Sequence, residues 1–60
     1  MLRVLIAEDE EMIRKELVYT TDWLSMDCVV VAEAADGRDG YEKILEYRPD
    51  VVITDICMPF

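Results

Sequence analysis

The sequence predicts an α/β fold, a β-α-β-α-β unit that forms part of a larger doubly wound parallel sheet. Three observations carry this. The runs LRVLIA, CVVVAEA and VVIT are mostly apolar with little alternation, as strands buried on both faces of a parallel sheet are. The two stretches between them carry apolar residues at helical spacing. The connections have the length that parallel crossovers require. Two helices cannot cover both faces of three strands well, so further elements are expected to complete the domain.

The first strand is predicted over Leu2–Ala7, closed by Glu8, Asp9, Glu10 and Glu11. A helix follows over residues 10 to about 20, with Ile13, Leu17, Thr20 and Leu24 at helical spacing and Met12 and Val18 beside them. Glu10 and Glu11 suit the positive end of its dipole, and Asp9 is the expected N-cap. Thr20, Thr21 and Asp22 weaken the helix, and Trp23 and Leu24 are expected to pin the turn against the core. The second strand, Cys28–Ala34, is rich in β-branched valine. Asp36-Gly37 marks a turn and a helix start, and residues 38–48 form the second helix, with Gly40 at a close-packing position. Tyr41 and Tyr47 on that helix are expected to differ, one packed and one wet. Pro49 ends the helix and pushes Arg48 toward extended geometry. The third strand is Val51–Thr54, followed by Asp55. Met12, Met26 and Met58 read as core filler, and Cys28 and Cys57 as buried reduced thiols.

Composition narrows the function. The 60 residues hold 14 acidic and 6 basic side chains and no histidine, for a net charge of -8. So acidic a chain does not bind a phosphate backbone by counterion release, which argues against direct nucleic-acid contact. Without histidine, a closed zinc site on two cysteines and a histidine-based triad are both excluded. An apolar content of 53% is too high for a disordered acidic tail. The apolar start is too short for a signal peptide, and no run approaches the roughly 20 residues that span a bilayer. A cytoplasmic location with no membrane partner is expected.

In open α/β sheets ligands bind beyond the carboxyl ends of the strands. Those ends hold Glu8, Asp9 and Glu10, then residues 33–36, then Asp55 followed by Ile56, Cys57, Met58 and Pro59. If the first and third strands are neighbours, Glu8, Asp9 and Asp55 converge and repel one another. A divalent cation that prefers hard oxygen ligands resolves that conflict, and Mg²⁺ fits best. The plainer reading is that Glu8 and Asp9 cap a helix in solvent and Asp55 caps a loop. The combination of an acidic cluster after one strand and an aspartate after another is more specific than either part.

The pattern VLIAEDE, then AADG, then RPDVVITDICMP resembles the receiver domain of two-component response regulators. The resemblance runs through all 60 residues but covers about the first half of such a domain, so residues 1–60 are expected to be its N-terminal part. It implies a flavodoxin-like fold, a five-stranded parallel sheet in the order 2-1-3-4-5 with helices on both faces. It implies that Asp55 accepts a phosphoryl group from a phosphohistidine on a sensor histidine kinase. Asp9 would ligate Mg²⁺ directly, Glu8 would act on it through water, and the backbone carbonyl of Cys57 would be a further ligand. Glu8 stands where many members have aspartate. Such a chain assists its own phosphotransfer but is not a turnover enzyme. TTDWLSMDCVVVAEAADG and MPF are similar to receivers that precede an AraC-type helix-turn-helix output domain, which would contact DNA outside this segment.

Two other readings remain open. A phosphorylation-independent receiver-like module would work by interaction or dimerisation, and the exposed edge of the third strand favours pairing with a second copy. A haloacid-dehalogenase-like phosphatase wants Asp-x-Asp, whereas Cys57 stands two residues after Asp55. Receivers also use a hydroxyl residue after a fourth strand and a lysine after a fifth, and neither lies within these 60 residues. The 60-mer incubated with acetyl phosphate and Mg²⁺ is therefore expected to gain little phosphate; near-stoichiometric addition by mass spectrometry would contradict this.

Overall fold

The structure, a computed structural model, describes residues 1–54. The elements are β1 (Leu2–Ala7), α1 (Glu11–Thr20), a single 3₁₀ turn (Leu24–Met26), β2 (Cys28–Ala34), α2 (Gly37–Tyr47) and β3 (Val51–Thr54). The strands form one parallel sheet in the order β2-β1-β3, so the chain reverses direction across the sheet at β1. This is the β2-β1-β3 portion of a flavodoxin-like sheet, as the resemblance implies.

β1 has a strand on each edge, and its last four residues, Val4 to Ala7, are buried. Successive strand side chains point to opposite faces. Leu5 and Ala7 pack with Ala34 and Ala32, and a Cβ on Gly40 of α2 would touch Ala34 and Ala7, so this is the α2 face. Val4 and Ile6 lie on the other face, which α1 crosses.

The pairing of β1 with β2 shifts by one residue between Val4 and Leu5, from Val4 opposite Val30 to Leu5 opposite Ala32. Without that shift Ala7 would lie opposite Glu33, and a carboxylate would enter the core beneath α2. With it, Ala7 pairs with Ala34 and Ile6 with Glu33. Small residues then line the close contact with α2, and Glu33 faces α1.

Both helices end through side chain and backbone bonds. Asp36 caps α2 by accepting from the Asp39 N–H at 2.7 Å, and the Asp39 carboxylate accepts from the Ala35 N–H at 3.2 Å. The Trp23 indole N–H donates to the Leu17 and Val18 carbonyls at the end of α1, both at 3.2 Å. β3 is tied to the start of β1, where the Arg3 N–H donates to the Asp50 carboxylate at 2.8 Å and the Asp50 N–H to the Arg3 carbonyl at 2.7 Å.

Several expectations are corrected. The N-cap of α1 is Glu10, not Asp9, and no side chain caps it. Helix geometry begins at Glu11, one residue too late for Asp9, and the Glu8 carboxylate accepts from the Glu10 N–H instead. Arg48 is left-handed (φ 48°, ψ 61°) rather than extended. Its N–H closes α2 onto the Ile44 carbonyl, and that capping bond outweighs the preference set by Pro49. Leu24 is exposed and only Trp23 of that pair is half-buried. Met12 and Met26 are exposed, as are both Tyr41 and Tyr47. Cys28 is a half-buried free thiol, while Cys57 and Met58 lie outside the described residues.

Continuous burial holds for the last four residues of β1 but not for β3, whose residues are all exposed. The reason is coverage: α2 packs over β2 and β1. An apolar groove of about 200 Å³ is left between α2 and β3, lined by Tyr41 and Ile44 on one side and Val52 and Thr54 on the other.

Gly40 is buried, yet an added Cβ would stand 3.7 Å from the Cβ atoms of Ala34 and Ala7, an ordinary van der Waals distance. Alanine also lowers the entropy cost of the helix. Gly40→Ala is therefore expected to stabilise the fold by up to about 1 kcal/mol in urea unfolding, with a loss of stability contradicting the packing described.

Candidate functional site

The carboxyl end of β1 delivers Glu8 and Asp9 directly beyond the buried strand. Glu8 is 8% exposed although it is an acid, because its backbone continues the sheet: its N–H donates to the Ala34 carbonyl at 3.0 Å. Its carboxylate accepts from the Glu10 N–H at 3.2 Å, and its carbonyl accepts from the Arg14 guanidinium at 2.7 Å. Asp9 follows it into solvent. Neighbouring β3 pairs Thr54 with Ala7, so both strands reach the same edge in register. The adjacency of β1 and β3, on which convergence of the acids depends, is therefore present.

Asp55 and Cys57, the other two expected site residues, lie outside the described residues. Among the described residues no group of three histidine, cysteine, aspartate or glutamate side chains could hold a metal ion. What they do supply is a pair of adjacent carboxylates, one buried and one open to solvent. These are hard oxygen donors of the kind Mg²⁺ accepts one or two of.

A cationic bracket beneath these acids was not legible as part of the site. Arg14 of α1, 12% exposed, donates from Nε to Glu33 of β2 at 3.3 Å while its other nitrogen holds the Glu8 carbonyl. Lys15 adds an ammonium to the same Glu33 oxygen at 2.9 Å. From α2, Lys43 donates to the Glu33 backbone carbonyl and pairs with Asp39 at 3.3 Å. Two signals in the sequence point to it: Glu33 interrupts an otherwise apolar strand, and Arg14 lies on the helix stripe shared with Leu17 and Val18.

Burial pushes the Glu33 carboxyl up, but the hydrogen bonds and charges of Lys15 and Arg14 outweigh it, so its pKa falls below the ordinary 4.5. Lys15 is raised above 10.5, first by its hydrogen bond to Glu33. No described helix is long and apolar enough to cross a membrane.

Comparison with known proteins agrees with this geometry. The family model described as the response regulator receiver domain matches residues 4–60. The transcriptional regulatory protein YesN of Bacillus subtilis is 36% identical over 59 residues, which is 98% of this chain and 16% of YesN. The oxygen regulatory protein NreC of Staphylococcus epidermidis is 41% identical over 58 residues, 97% of this chain and 26% of NreC. The crystallised REC domain of AraT, a response regulator from Geobacillus stearothermophilus, superposes with a TM-score of 0.89 at 42% identity, covering 98% of this chain and 46% of that one. The chain thus spans about a quarter or less of these curated relatives and about half of the solved receiver.

The Glu33 bracket has a pH signature. Its folded pKa is lowered, so its contribution to stability is complete above about 4.5 and is lost as pH falls through the lower folded value. Glu33→Gln is expected to flatten the loss of stability below that pH in urea unfolding, with little change in slope above about pH 6. An identical acid limb in the variant would show that Glu33 is not held by Arg14 and Lys15 as described.

Proposed function

The chain belongs to the response regulator receiver domain family of two-component systems, and on that premise we propose that it is the phosphoryl-accepting N-terminal part of a longer receiver. Receivers are signalling domains. The acceptor is Asp55, and the single observation that carries the reading is the pairing of Ala7 with Thr54. It ends β3, one residue before Asp55 in the sequence, beside the end of the strand that presents the acidic pair Glu8 and Asp9.

In this reading a carboxylate oxygen of Asp55 attacks the phosphorus of a phosphohistidine on a sensor histidine kinase. A P–O bond forms as the P–N bond breaks, which leaves an acyl phosphate on Asp55 and returns the histidine. Glu8, Asp9, Asp55 and the Cys57 carbonyl would hold Mg²⁺. Bound there, the ion supplies charge neutralisation between the carboxylates and the phosphoryl oxygens. The chain's own residues do the positioning. The buried Glu8 is fixed through its N–H, carbonyl and carboxylate, and Asp9 stands in solvent where an incoming group arrives. Phosphorylation replaces a single negative charge with a dianionic group, a change large enough to bias a two-state element. This is a stoichiometric acceptor rather than a turnover catalyst.

YesN is named a transcriptional regulatory protein, and by that likeness the partner in the full-length chain is an output domain that regulates transcription; the patterns TTDWLSMDCVVVAEAADG and MPF favour one of the AraC type that binds DNA. The receiver segment, with its -8 charge, makes no nucleic-acid contact of its own. The setting is the cytoplasm, and a second copy pairing along an open sheet edge is a further partner.

In the full-length chain Asp55→Asn is expected to abolish phosphoryl transfer from the kinase, read by mass spectrometry, and the transcriptional response with it. Signalling that survives this substitution unchanged would sink the acceptor reading in favour of a phosphorylation-independent interaction module.

A further inference from the structure

The acids Glu8 and Asp9 are joined by one peptide group, and its carbonyl is the acceptor for Arg14. That contact is short, 2.7 Å, and the guanidinium that makes it is largely withdrawn from solvent. Its Nε is anchored in turn on Glu33, whose carboxylate Lys15 also grips and whose backbone carbonyl accepts from Lys43. A peptide group is planar, so fixing the Glu8 carbonyl fixes the plane from which Asp9 leaves the strand. The Glu8 N–H on the other side is already committed to Ala34. The planar fork of arginine holds two acceptors at fixed angles, whereas a lysine ammonium is a rotatable point charge without that geometry.

We propose that Arg14 is a positioning residue for the cation-binding acids, acting through the Glu8 carbonyl and braced by Glu33. The proposal rests on the reading of Glu8 and Asp9 as Mg²⁺ ligands. It gives Arg14 a role opposite in sign to its charge. A guanidinium this near a divalent cation repels it, so removal of the charge alone tightens Mg²⁺ binding. Loss of the fork loosens the acidic pair and weakens binding, and outer-shell partners of this kind are worth about 10- to 100-fold in metal affinity. Positioning wins if the net change is a weakening.

The test measures Mg²⁺ affinity by isothermal titration calorimetry on the full-length chain, with thermal unfolding in the absence of metal alongside. Arg14→Met is expected to raise the Mg²⁺ Kd by about tenfold or more. Arg14→Lys keeps the charge but loses the fixed planar fork, and it too is expected to bind several-fold more weakly. Equal or tighter binding by Arg14→Met overturns the proposal, whatever happens to thermal stability. If Arg14→Met does not fold, Arg14→Lys decides, and wild-type affinity there overturns it. Asp9→Asn separates this from the underlying reading, since it leaves both Arg14 acceptors in place. If Asp9→Asn binds Mg²⁺ as wild type does, the acidic pair is not the site; if it loses affinity while Arg14→Met does not, the positioning role alone fails.

Discussion

β1 is the constraint on which the rest of this fold depends. It is flanked by a strand on each edge, and its buried residues face α2 on one side and the α1 face on the other. Over Val4 to Ala7 the backbone bonds are satisfied by neighbours and the side chains desolvated, so that stretch tolerates no polar residue. The first residue to emerge is Glu8, still buried and held through its backbone. The acids therefore stand at the sheet edge because the strand before them is rigid, and their location follows from the burial of four apolar residues.

The same strand explains the distribution of charge. The chain has six basic residues, and three of them, Arg14, Lys15 and Lys43, meet at Glu33. This gathers cations from both helices at the end of β2, one strand away from the acidic pair. A single half-buried glutamate so surrounded is satisfied rather than costly, and it links α1, β2 and α2 through polar contacts at a point where the apolar core is thin. The register shift in β2 makes this arrangement possible. One residue of slip decides whether Glu33 faces α1 or enters the alanine layer under α2.

The uncovered groove between α2 and β3 fits with the extent of the relatives. A chain that matches 98% of itself to 46% of a solved receiver carries one central strand buried on both faces and a neighbour, β3, that is not. Tyr41, Ile44 and Val52 present apolar surface there that the described elements leave in contact with water. Single exposed apolar residues are ordinary, but a contiguous strip beside an open strand edge is a surface that another element or chain would bury.

By itself the sequence determined the order and type of the elements. Apolar runs without alternation, separated by helical periodicity, allow little besides parallel strands with crossovers, and all three strands fall where the runs do. It also placed Glu8 and Asp9 at a strand end, because they directly follow the apolar run LRVLIA. Tertiary structure decided what depends on neighbours far along the chain. Whether Met12, Leu24 and Tyr41 are buried is set by which surfaces are covered, not by their own apolarity. The left-handed Arg48 is a local exception, where a capping bond to Ile44, four residues back, competes with the influence of the adjacent Pro49. Arg14 illustrates the difference most directly. Its place on the stripe of Leu17 and Val18 shows only that it is turned inward; the packing of α1 against β1, with Glu33 of β2 as a second anchor, brings it to the Glu8 carbonyl.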